Sequence, residues 1–128
     1  MSGAVTALLI CLAGSIGAAV RFALDSLIRA RLKSSYPIGT TIINVTGSLL
    51  LGLLTGLTTG QLVPQEFQLI LGTGLLGGYT TFSAASFETV RLLEDRRYAA
   101  AALNSLGMLI SCTVAAALGY AVALSITG

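Results

Sequence analysis

The chain has 128 residues, 9% of them charged and 55% apolar, with a formal net charge of +2 and a mean hydropathy of +0.90. So few charges cannot clothe a water-soluble globule of this size, and the composition assigns the chain to lipid. His is absent, the only cysteines, Cys11 and Cys112, lie inside apolar runs, and no Lys-Ser/Thr phosphate loop occurs, so the usual constellations for hydrolysis, metal catalysis and nucleotide use are missing and the chain does not read as an enzyme.

A hydrocarbon core of about 30 Å takes roughly 20 helical residues per crossing. The apolar runs accommodate four crossings, which predicts an all-α integral membrane protein forming a single domain over residues 1–128. The first helix is predicted from Ala4 to Ile28, without the basic leader and small-residue cleavage pattern of a signal peptide. Polar residues from Arg29 to Pro37 close it, and the second helix runs from Thr40 to Gly60. After a connection holding Pro64, the third starts near Phe67 and continues to about Leu93. Glu94 to Arg97 form a charged turn, and the fourth helix runs from Tyr98 to Ile126. The two cysteines read as small apolar-segment thiols without a disulfide or metal role.

With four crossings, the loops after the first and third helices share one side. All seven basic residues, Arg21, Arg29, Arg31, Lys33, Arg91, Arg96 and Arg97, lie on or toward that side. The positive-inside rule places these loops in the cytoplasm and both termini outside. The same topology accounts for the basic residues without nucleic-acid binding.

The third helix carries two adjacent glycines and two adjacent threonines, Gly77-Gly-Tyr-Thr-Thr-Phe-Ser83. A helix break at mid-membrane is one reading, because freed carbonyls survive in lipid only against protein, water or an ion. An unbroken helix with Gly74 and Gly78 as a small-residue packing face is the other. A break sets carbonyl ends beside a cation and amide ends beside an anion. Asn44, Thr80, Thr81 and Ser83 offer the hydrogen-bond donors that a small, strongly hydrated anion needs once it sheds water, while Asn44 also fits a role as interhelical glue. The positive edge of the Phe82 ring suits an anion; plain packing is the alternative. Arg21 fits an electropositive entrance, a snorkelling cation, or a local pair with Asp25.

These residues resemble the Fluc/CrcB family of fluoride channels. The resemblance rests on Gly14-Ser-Ile-Gly-Ala-Ala-Val-Arg21, on Pro37-Ile-Gly-Thr40 followed by Asn44 and Gly47, and above all on Gly77-Gly-Tyr-Thr-Thr-Phe-Ser83 with Glu88. It implies an antiparallel dimer with two narrow anion pores and passive export of cytoplasmic fluoride across the cell membrane. It also implies a structural Na+ held at the dimer centre by backbone carbonyls, here of Gly77 and Thr80. Thr40, Asn44 and Phe82 take the family's pore positions, with Thr81 and Ser83 beside them. Two departures stand out: Ala85 replaces the second phenylalanine of the family pattern, and Met108 replaces a serine of the fourth helix, for which Ser111 or Cys112 is the next polar candidate. Phe87 lies about 200° round an ideal helix from Ala85 and does not substitute for that phenylalanine.

The strong charge bias disfavours a chain that inserts both ways and pairs with itself, so the preferred assembly is a heterodimer with an oppositely oriented homologue rather than a homodimer. A non-conducting subunit of such a pair is one alternative function. A small multidrug exporter is another, weakened because the first helix has no acid before Asp25.

Overall fold

The computed structural model describes residues 2–128. Among these it is all-helical, with three helices long and apolar enough to cross a membrane, Gly3–Arg31, Ile38–Thr59 and Tyr98–Thr127. We name them α1, α2 and α5.

Ser2 caps α1 by accepting the Val5 amide proton at 3.3 Å. The helix runs three residues beyond the predicted end at Ile28, because Arg29 and Arg31 are good helix formers whose charge suits the negative helix terminus. α2 begins at Ile38, directly after Pro37 and two residues before the predicted Thr40. It ends in a turn where Leu62 N donates to Leu57 O and Gln61 N donates to Thr58 O, with Gln61 at φ 63°.

The third apolar run behaves differently. Residues 65–79, named α3, open with one α-helical turn after Pro64. They widen into a π-helix over Gln68–Leu76 and return to α geometry over Gly77–Tyr79. Thr80 is extended at φ −80° and ψ 161°, and helical structure resumes as α4, Ser83–Glu94. α5 follows after Asp95–Arg97 and carries a second π-helical stretch over Leu103–Gly107.

Glycines set how closely these helices approach. A methyl group on Gly17 would collide with the Leu75 carbonyl, and one on Gly78 with the Gly14 carbonyl, so α1 lies backbone-to-backbone on α3. α2 and α5 meet the same way, Gly52 against Ala116 and Gly119 against Leu49. Gly74 and Gly78 thus form a small-residue face that packs α3 onto α1, and the non-helical residues 80–82 fall just beyond them.

We expect Gly17→Ala to destabilise the protein by about 1–3 kcal/mol through overpacking. Gly3→Ala, with no atom within 4 Å of the added methyl, should be close to neutral. Thermal unfolding in detergent checks both.

The buried apolar set is small, comprising Ile43, Leu76, Leu92, Met108 and a few alanines, while Leu8, Leu12, Ile16, Val20 and Phe22 stand exposed along α1. Outward-facing apolar stripes on this scale require lipid or another protein against them.

Candidate functional site

α2 supplies the residue that organises the interruption. Asn44 is 8% exposed. Its Nδ2 donates to Thr81 O at 2.8 Å, and its Oδ1 accepts from Thr81 N at 2.8 Å. One side-chain amide thus replaces both helical partners of the Thr81 peptide groups. Nδ2 also reaches Met108 Sδ at 3.1 Å. In an apolar setting an unpartnered amide or carbonyl is costly, so this pairing is what makes the non-helical stretch tolerable.

The pairing frees particular oxygens. In a continuous helix, Thr81 N would bond Gly77 O and Ala84 N would bond Thr80 O. Instead Thr81 N goes to Asn44, and Ala84 N donates to Thr81 Oγ1 at 3.1 Å. The carbonyls of Gly77 and Thr80 are left without their helical donors. These are neutral oxygen ligands of the kind that unwound membrane helices offer to Na+, so the two residues fit such an ion. Gly78 O is treated differently: Arg21 Nε donates to it at 3.4 Å.

Of the three readings of Arg21, the local pair with Asp25 does not form. Asp25 Oδ2 instead meets Arg29 Nε at 3.0 Å. Both cations stand four residues from Asp25, and an acid N-terminal to its base is the favoured order on a helix, which selects Arg29.

An open groove of about 550 Å³ runs past the interruption, lined by Asn44, Thr80, Thr81, Phe82, Ala85 and Met108 among others. The Phe82 ring is 86% exposed. Gly77 also borders the groove. Thr40 is buried one turn before Asn44, and Ser83 is exposed beside the groove with its hydroxyl 3.4 Å from Thr81 Oγ1. The structure therefore gathers Gly77, Thr80, Thr81, Phe82 and Asn44 around one concavity, sets Ser83 beside it, and puts Arg21 behind it against α3, whereas Thr40 is buried one turn away on α2 and does not line the groove.

Opposite Ala85, Asn104 was not foreseen. It is 1% exposed, donates to Thr89 Oγ1 at 2.8 Å and to Ala85 O at 3.4 Å, and leaves its Oδ1 without a partner. Asn104, Met108 and Cys112 all line the groove, and their four-residue spacing is the signal that fixes which face of α5 meets it. Cys112 is thereby favoured over Ser111 as the next polar group after Met108.

The far side of α4 faces a second cavity of about 520 Å³ bordered by Asp25, Arg29, Tyr36, Phe87 and Glu88. Phe87 belongs here, with Arg91 6.0 Å above its ring, and so does not replace the aromatic group missing at Ala85. Arg29 bridges Asp25 and Glu88, reaching the latter at 3.8 Å. In the adjoining loop, burial and then the Glu88 charge push the Tyr36 hydroxyl above the ordinary tyrosine pKa, so it stays protonated at neutral pH.

Comparison with known proteins places this geometry in context. The family model described as CrcB-like protein, Camphor Resistance (CrcB), matches residues 8–120. The chain is 52% identical over 112 residues to the fluoride-specific ion channel FluC 1 of Leifsonia xyli, covering 88% of this chain and 82% of that one. It is 48% identical over 117 residues to the fluoride-specific ion channel FluC 2 of Cutibacterium acnes, covering 91% and 95%. A FluC 2 of Mycobacterium tuberculosis is 40% identical over 114 residues, covering 89% and 87%.

Proposed function

The chain belongs to the CrcB-like protein family, and from that premise we propose that it is one subunit of a fluoride-selective channel that lets cytoplasmic fluoride leave the cell passively. The observation that carries this reading is the Asn44–Thr81 pairing beside the exposed Phe82 ring, since it keeps a helix open on an apolar groove. The protein conducts ions and is not an enzyme.

In the proposed arrangement α3 and α4 together form the third of four crossings, broken at mid-membrane by residues 80–82. Fluoride passes the positive edge of Phe82 and the hydroxyls of Thr81 and Ser83, with Thr40 and Asn44 shaping the path and Arg21 contributing positive potential from behind the break. Asn44 acts chiefly by holding Thr81 in place, because its amide hydrogens already have partners in the isolated chain. A Na+ bound by the carbonyls of Gly77 and Thr80 would supply a fixed positive charge at the centre of an antiparallel dimer.

The exposed Phe82 and the open groove call for a second subunit against them. The basic residues, all toward one side, support a fixed orientation with both termini outside the cell membrane, and hence a heterodimer with an oppositely inserted homologue. Relatives numbered FluC 1 and FluC 2 support a search for that second chain. The homodimer and the non-conducting subunit are the remaining readings. Ala85 and Met108 favour the latter, since neither presents a donor or an aromatic edge to fluoride.

Growth of a fluoride-sensitive bacterium lacking its own exporter tests the function. Expression of this chain alone, or together with its homologue, should restore growth in fluoride; failure of both would refute the channel reading. Labelling of a cysteine placed at each terminus tests the orientation: the fixed-orientation heterodimer predicts labelling from outside only, and equal labelling from both faces would favour the homodimer.

A further inference from the structure

The groove and the buried Asn104 oxygen belong to the site already described, and the basic end of the molecule stands apart from them. α1 has 29 residues, so its length is about 44 Å against a hydrocarbon core of about 30 Å. Its last turn, the 32–37 loop and the turn before α5 therefore project into the headgroup layer. Arg97 ties the loop to the turn, its NH1 group donating to Ser35 O at 3.3 Å and Ser35 Oγ at 3.1 Å. That tie brings Arg31 and Lys33 to the same end as Arg96, and all three are exposed. Among the described residues, no carboxylate lies within ion-pair distance of any of them. Asp95 borders the second cavity with Arg91, which leaves the exposed Glu94 as one carboxylate in the turn against the three cations. Tyr98, 63% exposed and next to Arg97, is an aromatic residue of the kind that settles at a membrane interface.

The backbone at Arg96 offers a way to test the rim. α4 ends in a motif where Arg97 N donates to Leu92 O and Arg96 N to Leu93 O, with Arg96 at φ 58°. Glycine is the usual residue at that position, and any other side chain there carries a conformational cost. The same turn closes α2 with Gln61 at φ 63°, so the geometry by itself assigns Arg96 no role; it makes Arg96→Gly a substitution that the backbone accepts.

We propose that Arg31, Lys33 and Arg96 form a seat for the headgroup of an anionic phospholipid. Charge complementarity selects this occupant, and depth selects a lipid over a soluble anion, because the rim sits where headgroup phosphates lie. The seat requires that the chain span a membrane and is independent of which ion it conducts, so it can fail without touching the channel reading.

Arg96→Gly removes the charge while relieving the backbone, which separates recognition from folding. The test measures thermal unfolding of the purified full chain in a neutral detergent, titrated with phosphatidylglycerol, with phosphatidylcholine of the same acyl chains, or with inorganic phosphate. Phosphatidylglycerol alone should raise the Tm, by about 4 °C near saturation. Arg96→Gly combined with Lys33→Gln should fold as well as the parent and lose at least half of that rise. Equal rises with both lipids, a rise reproduced by phosphate, or an undiminished response in the double variant would each overturn the proposal.

Discussion

Asn44→Ala should lower fluoride efflux by about 100-fold or more, equivalent to roughly 2.7 kcal/mol in rate, and should also weaken the fold. The substitution strips two partners from Thr81, at 2.8 Å each, in a half-buried stretch of backbone. An unsatisfied buried polar group costs about 1–3 kcal/mol, so losing both directions of the pairing should destabilise the protein by about 2–5 kcal/mol. The chain then has reason to close the gap by restoring the Gly77–Thr81 helical bond, which removes the freed carbonyl and the groove geometry together. Asn44→Asp is the informative companion: it keeps the acceptor for Thr81 N, loses the donor to Thr81 O, and adds a negative charge beside an anion path. It should therefore be better folded than Asn44→Ala yet equally poor in flux. Efflux and thermal unfolding measured on the same preparations check both variants.

Phe82→Ile should show the opposite division, with flux reduced about tenfold or more and stability nearly unchanged. The ring is 86% exposed in the isolated chain, so little folding energy depends on it; surface changes of this kind stay within about 0.5 kcal/mol. Isoleucine fills similar space without the positive ring edge that an anion can approach. Unchanged flux would mean that Phe82 only packs against its surroundings. Ala85→Phe sharpens the comparison, because Ala85 borders the same groove and the change adds the aromatic edge that the family pattern has there. A gain of flux in the chain expressed alone would identify Ala85 as the residue that limits it.

Much of the fold was legible because lipid imposes a simple rule: α1, α2 and α5 are the three uninterrupted apolar runs of spanning length. The helix interruption was legible from Gly77-Gly-Tyr-Thr-Thr-Phe-Ser83, although two readings of its glycines stood open. They are compatible, since Gly74 and Gly78 pack on α1 while the Thr81 hydroxyl accepts from Ala84 N where α4 restarts. The π-helical stretches over Gln68–Leu76 and Leu103–Gly107 were not legible. In an almost wholly apolar run, a shift from 3.6 to a wider period leaves the polar pattern unchanged.

The site divides in the same way. Asn44 and Thr81 were each legible as polar residues in apolar surroundings. Their pairing was not, because it joins residues 37 apart and depends on how α2 and α3 pack. Asn104 was missed because the fourth run was read without a register; the Asn104–Met108–Cys112 spacing contains that register once one of the three is placed. Arg21 stood open between an entrance role, snorkelling and a pair with Asp25, and only the pair is decided, for a local reason. Asp25 has a cation four residues away on each side, and the preference of helices for acid before base decides between them.

The most direct test of the channel reading is fluoride efflux from liposomes, with chloride as the control, for this chain alone and for the chain reconstituted with its homologue. The account predicts fluoride-selective efflux that falls with Asn44→Ala and with Phe82→Ile, strongest when both chains are present. Folded protein that releases no fluoride in either preparation, or that passes chloride as readily, would contradict it.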